Sequence, residues 1–213
     1  TIAAKYFLEQ RDKKFLRMAF SRYVAPGVVD SLIRDSSRLK LGGEKKQLTV
    51  LFSDIRRFTH FSEKMEAQSL ALFLNEYFEL MTTVVFNYQG TLDKYIGDSI
   101  MAFWGAPLDQ KDQEYLAVQT AVQMVETVLA KQEYFQSRWN VDLEIGIALG
   151  TGIVNVGNMG TLRNFSYTAI GDVVNLTSRL EGLTKLYGLP ILCTKDTIVG
   201  IKGRDIAYRS VDC

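Results

Sequence analysis

Apolar positions along this chain change their spacing several times, and each change marks an element. LTVLF at 48–52 is a short continuous apolar run of strand type. Leu70, Phe73, Leu74, Tyr77, Phe78, Met81, Val84 and Val85 then recur at three- and four-residue intervals, which predicts one buried face of a long helix. TLDKYI and SIMAFW, separated only by Gly97-Asp98, predict a β-hairpin with a tight turn. Residues 112–130 return to helical spacing through Ala117, Ala121, Met124, Val125, Val128 and Leu129, and Leu143, Ile145, Ile147 and Leu149 alternate as a strand does. The order β, α, β, β, α, β is the split βαβ arrangement of ferredoxin-like folds, a mixed α/β (α+β) class. Beyond it, IVNVG and FSYTAI read as further strands, 172–187 as a helix and PILC as a short strand.

Upstream, residues 1–20 carry Ala4, Phe7, Leu8, Phe15, Met18 and Ala19 among many charges. That spacing fits a helix packed on the domain, or a connecting helix from an upstream region. Pro26, Gly27, Ser36, Ser37, Gly42 and Gly43 read as a linker, giving an N-terminal helix and linker over 1–43 and a main domain over 44–213.

Composition narrows the function classes. With 213 residues, 47% of them hydrophobic, the chain suits one compact domain with an appendage. Lys plus Arg number 25 and Asp plus Glu 24, so no strong basic field exists and a general nucleic-acid binder is not expected. Two cysteines, Cys193 and Cys213, exclude a disulfide-stapled scaffold and a Cys-rich zinc site. No run approaches the roughly 18–20 consecutive apolar residues of a membrane span, and no leader is evident at the N-terminus. Starting at Thr1, the chain is expected to be processed or cut from a longer protein.

Two constellations carry candidate chemistry. Asp54 directly follows the first strand, and Asp98 sits in the hairpin turn. First and third strands of a ferredoxin-like sheet are antiparallel neighbours, so the two carboxylates are expected to converge at one sheet edge. Such hard oxygen ligands suit Mg²⁺ or Mn²⁺. A turn-filling Asp98 and a helix-capping Asp54 are the alternatives. In YTAIGDVVNLTSRLE, Asn175 and Arg179 are four apart on one helix face, where both could reach a phosphate. The glycines of GTGIVNVGNMG match neither a P-loop nor a Rossmann fingerprint, and a glycine-permissive hairpin is expected there. His60, the single histidine, has no serine or cysteine motif beside it.

Taken together, LTVLFSDIRRFT, LDKYIGDSIMAFWG and YTAIGDVVNLTSRLE resemble the catalytic domain of class III nucleotidyl cyclases, in detail the bacterial adenylate cyclases. The likeness runs from about Gln47 to about Ile198. It implies that Asp54 and Asp98 hold two Mg²⁺ or Mn²⁺ ions with the backbone carbonyl of Ile55 as an added ligand. Lys94 matches the base-reading lysine, and Thr168 stands where many members have Asp and one bacterial subgroup has Thr. Asn175 and Arg179 match the pair that orients the ribose and stabilises the transition state, and Arg163 matches a triphosphate contact. A homodimer with sites between subunits is implied, with ATP as substrate and no nucleic-acid partner. FSRYVAPGVVDSL resembles the connector of membrane-anchored members. That implies a cytoplasmic domain of an inner-membrane-anchored bacterial protein, with sensor and membrane segments upstream. The family also places a phosphate-binding lysine in a VKGK-type segment. Ile201-Lys202-Gly203-Arg204 looks like it but follows PILC too closely, so the chain is expected to stop at Cys213 just before that lysine.

Base selection follows from donors and acceptors. Adenine offers an acceptor at N1 and a donor at N6, which suits an ammonium from Lys94 and a hydroxyl acceptor from Thr168, whereas guanine has the opposite polarity at both atoms. Adenylate cyclase activity is the expected function. A guanylate cyclase, or a catalytically silent nucleotide-binding dimerisation domain, is the alternative, although silent cyclase domains usually lack a metal Asp or the Asn/Arg pair, and both are present here. A diguanylate-type cyclase would carry a GG[DE]EF-like turn where this chain has YIGDSI.

Overall fold

The computed structural model describes residues 42–161 and 164–211. The expected N-terminal helix, the Pro26-to-Ser37 part of the linker, Arg163 and Cys213 lie outside these residues. In chain order the elements are β1 (Gly42–Ile55), α1 (Phe58–Ser62), α2 (Ala67–Asn87), β2 (Thr91–Ile96), β3 (Ser99–Trp104), α3 (Gln113–Ala130), α4 (Gln132–Trp139), β4 (Ile145–Thr161), β5 (Asn164–Ile170), α5 (Asp172–Tyr187), β6 (Ile191–Cys193) and α6 (Lys195–Gly200). The sheet runs β2-β3-β1-β4-β5, with β6 pairing parallel to the start of β4. Its first four strands are mutually antiparallel in the order expected of a ferredoxin-like core, and the C-terminal αβ extension continues it.

Alternation along β1 divides the molecule into two apolar layers. Leu51 and Ile55 face α2, α3 and α4, where Phe73, Tyr77, Met81, Ala117, Met124 and Phe135 complete the larger core. Leu48, Val50 and Phe52 face the other way and pack with Met101, Phe103, Val154, Val156 and Tyr167. By length and composition α2 is apolar enough to cross a membrane. Its buried stripe of Phe73, Tyr77, Met81, Val84 and Val85 instead places it as a core helix.

Two expectations change. Gly42 and Gly43 are not linker: they open β1, opposite Asn158 and Gly157 of β4. GTGIVNVGNMG contains no turn of its own: it runs inside the single 17-residue strand β4, which absorbs both IVNVG and the Ile145–Leu149 alternation, and its second half is one arm of the antiparallel β4–β5 hairpin. The reason lies in packing. A side chain at Gly150 would collide with Thr177 Oγ1 of α5 and come within 3.3 Å of Val173, so this glycine admits a helix against the strand.

Candidate active site

The antiparallel pairing of β1 with β3 sets Ser53 opposite Ile100, so the next residues, Asp54 and the β2–β3 turn, meet at one edge. Gly97 holds the left-handed backbone that this two-residue turn requires, at φ 65°. Ser99 Oγ donates to Asp54 Oδ1 at 2.6 Å, and the backbone N–H of Ile55 donates to Asp98 Oδ2 at 3.2 Å. Ile55 itself is buried. The two carboxylates and the Ile55 main chain are thus gathered as expected.

Burial, and then the neighbouring Asp54 charge, push the Asp98 carboxyl up to about 7. A third carboxylate, Glu181 of α5, is pushed up to about 7 by burial and by the same Asp54, while Arg56 pulls it down. Nothing in the helical periodicity distinguishes Glu181 from its neighbours, so sequence reasoning misses it. Arg56 also donates from Nη2 to the carbonyls of Thr184 and Leu189, 3.2 and 2.6 Å away, and so fastens the end of α5 to the strand that carries Asp54.

Among the described residues no group of three or more His, Cys, Asp or Glu forms an all-protein metal cage. Two carboxylates at one sheet edge fit Mg²⁺ or Mn²⁺, which take one or two protein carboxylates and complete their shell with water and substrate phosphate. The crowding of negative charge that raises Asp98 is what a divalent cation relieves.

A second cluster lies where β2 faces β5. Lys94 Nζ donates to Thr168 Oγ1 at 3.1 Å, joining the two residues expected to read the base. Beneath them lies Asp93, which no sequence motif singles out, with its side chain wholly shielded from solvent. Thr168 Oγ1 donates to Asp93 Oδ2 at 2.7 Å, Ala169 N–H donates to the same oxygen at 3.3 Å, and Lys94 Nζ lies 3.2 Å from Oδ1. Burial raises the Asp93 carboxyl above the ordinary range, and the Thr168, Lys94 and Ala169 donors oppose the rise. The pairing of β2 with β3 slips between Leu92 and Lys94, an irregularity that lets two consecutive residues serve one cluster.

Asn175 and Arg179 project from the exposed flank of α5, whereas Thr177 and Thr184 are buried toward β4. Among the described residues no hydrogen bond or ion pair joins Asn175 or Arg179 to Asp54 or Asp98. No direct contact of that kind ties the Asn/Arg pair to the carboxylates within one chain. Lys202 sits on an exposed turn after α6, beside Arg204, which stacks over Tyr115 and pairs with Asp112 of the loop before α3. His60 is exposed on α1, 3.0 Å from the Lys64 ammonium just beyond that helix.

Residues 42–208 match the adenylate and guanylate cyclase catalytic domain family. Adenylate cyclase 1 of Rhizobium meliloti is 32% identical over 158 residues, covering 74% of this chain and 24% of that protein. The adenylate cyclase of Anabaena cylindrica is 31% identical over 197 residues, covering 87% of this chain and 36% of that protein. The chain thus spans about a quarter to a third of the length of these curated relatives. Among solved structures, the adenylyl cyclase CyaB from P. aeruginosa superposes with a TM-score of 0.71 at 36% identity, covering 77% of this chain and 84% of that one. The guanylyl cyclase Cya2 gives a TM-score of 0.71 at 33% identity, with 77% and 82% covered. Fold, converging carboxylates and sequence likeness agree, and the chain belongs to the class III adenylate and guanylate cyclase catalytic domains.

Proposed function

We propose that this domain is an adenylate cyclase, converting ATP to 3′,5′-cyclic AMP and pyrophosphate. The observation that carries the reading is the Lys94–Thr168 pair, held at 3.1 Å. It offers an ammonium donor beside a hydroxyl oxygen, the complement of N1 and N6 of adenine. The ribose 3′-hydroxyl attacks the α-phosphate in line, and pyrophosphate departs. Asp54, Asp98 and the Ile55 carbonyl would hold two divalent cations, which when bound supply charge neutralisation at the phosphates and lower the pKa of the attacking hydroxyl. Arg179 stabilises charge developing on the phosphoryl oxygens, Asn175 orients the ribose, and Arg163 contacts the triphosphate.

Asn175 and Arg179 are exposed on α5 and, among the described residues, no hydrogen bond or ion pair joins them to the carboxylates of their own chain, which supports a homodimer whose sites each draw on two chains. The match takes up only 24% and 36% of the two curated relatives, which supports a place for this domain inside a larger signalling protein. We take its setting as the cytoplasmic side of an inner-membrane-anchored bacterial parent.

Incubation of the purified chain with Mn²⁺ and either ATP or GTP, followed by chromatographic resolution of the products, tests the reading. Cyclic AMP from ATP, well in excess of cyclic GMP from GTP, is expected. A preference for GTP, the substrate class named by the Cya2 likeness, overturns it.

A further inference from the structure

We propose that Asp93 is a specificity-determining residue: its carboxylate captures the hydroxyl hydrogen of Thr168 and so makes the Thr168 oxygen an obligate acceptor for the exocyclic amine of adenine. The inference deepens the adenylate cyclase reading and rests on it.

A threonine hydroxyl is ambivalent, with one hydrogen to give and two lone pairs to receive. Left free to rotate, it would accept from the N6 amine of adenine or donate to O6 of guanine with equal ease, and would discriminate nothing. Asp93 removes that freedom. Its Oδ2 lies 2.7 Å from Thr168 Oγ1, and an ionised carboxylate can only accept, so the shared hydrogen is the threonine's. The other neighbours of this carboxylate, the Ala169 amide and the Lys94 ammonium, are donors only, which suits the ionised form.

Lys94 spends one N–H on Thr168 and sets its ammonium 3.2 Å from Asp93 Oδ1 as an ion pair, which leaves an N–H for the base. Thr168, having given its hydrogen to Asp93 and one lone pair to Lys94, retains one lone pair. Together the cluster presents one donor beside one acceptor, with neither able to invert. Adenine matches this edge at both atoms, and guanine opposes it at both. Lys94 enforces the first half of the discrimination by its own chemistry, and Asp93 enforces the second half through Thr168.

A charge so fully buried is costly to keep on a strand, and neither core supplies a reason for it. The slip in pairing between Leu92 and Lys94 gives the reason a geometry, since it lets Asp93 turn beneath the residue that follows it.

The test is steady-state kinetics of the 213-residue chain with Mn²⁺ and ATP or GTP, comparing wild type, Asp93→Asn, Thr168→Val and the double variant. Displacement of a ribose-labelled fluorescent ATP by ATP and by GTP supplies the same comparison without turnover. In Asp93→Asn the carboxylate gives way to an amide that can donate to Thr168 and release its hydrogen toward the ligand. Asp93→Asn is expected to lower the ratio of kcat/KM for ATP over GTP by about tenfold or more, chiefly through KM. Thr168→Val should lower it comparably, and adding Asp93→Asn to Thr168→Val should change it little, because Asp93 then has no hydroxyl to orient. Asp93→Ser carries the same expectation if the Asn variant does not fold. A wild type that favours ATP, with a ratio untouched in the Asp93 variants or an equal loss for both nucleotides, overturns the Asp93 inference and leaves the adenylate reading standing. A wild type that favours GTP overturns both.

Discussion

Asp98 is a carboxyl that keeps its proton to about pH 7, because it is partly buried and faces Asp54. In the unfolded chain it ionises near pH 4, as ordinary aspartates do. Without divalent cations, the folded chain therefore holds a proton that the unfolded chain has already released between these values. The stability owed to this residue is greatest at low pH and is lost as pH climbs from about 4 to about 7, then stays level. Asp98→Asn removes the titration and also relieves Glu181. In EDTA the Asn variant is expected to melt above wild type at pH 8, with the gap closing toward pH 4. Excess Mn²⁺ should reverse the gap at pH 8, because only the wild type retains both carboxylates. A gap independent of pH would show that Asp98 is not the group that titrates. Asp54→Ala, at the same edge, is expected to leave the melt cooperative while reducing turnover to below about one per cent. Retained cyclase activity would remove Asp54 from the chemistry. Asp54 and Asp98 are legible in the sequence because a strand end and a two-residue turn fix where each lies. Asp93 is not, because a charge in an alternating strand reads as solvent-facing until a slip in register turns it inward.

At the scale of elements, β4 and α5 depend on each other through what β4 lacks. Gly146 lies under Glu181 and Thr184, where an added carbon would fall 2.8 Å from Glu181 Oε1, and Gly150 lies under Thr177. Thr177 cannot easily yield, since it is fully buried and its hydroxyl donates to the Val173 carbonyl at 2.6 Å. Gly150→Ala is therefore expected to cost about 1–3 kcal/mol, read as a lower urea midpoint at unchanged slope. Thr177→Ala placed on top should recover part of that loss, by clearing the hydroxyl the new methyl meets. A double variant no better than the sum of the singles would place the strain elsewhere. The same glycines explain why β4 reads as two pieces from sequence. They interrupt the apolar alternation at the points where a helix approaches, and an interruption of that kind is indistinguishable from a turn without the partner in view. The helix predicted from about Asp172 to about Tyr187 agrees with α5, which Gly188 ends in the left-handed conformation.

For the whole molecule, the question is how two half-sites combine. In the proposed homodimer each centre takes its carboxylates from one chain and Asn175 with Arg179 from the other. Mixing an Asp54→Asn chain with an Arg179→Ala chain then yields mixed dimers in which one centre has both defects and the other has none. With random exchange about a quarter of wild-type activity is expected to return, although each variant alone is nearly inactive. No recovery, with subunit exchange demonstrated by an independent label, would confine the site to one chain. Helix α5 gives this arrangement a further property. Its inner face rests beside its own chain's carboxylates through Glu181, and Arg56 bolts its end to the strand that carries Asp54, while its outer face carries the pair offered across the interface. In the proposed dimer one helix would thus serve two reaction centres. The helix that steadies one centre's carboxylate strand would also set the position of the Asn175–Arg179 pair at the other, so the two centres would share a structural part without touching.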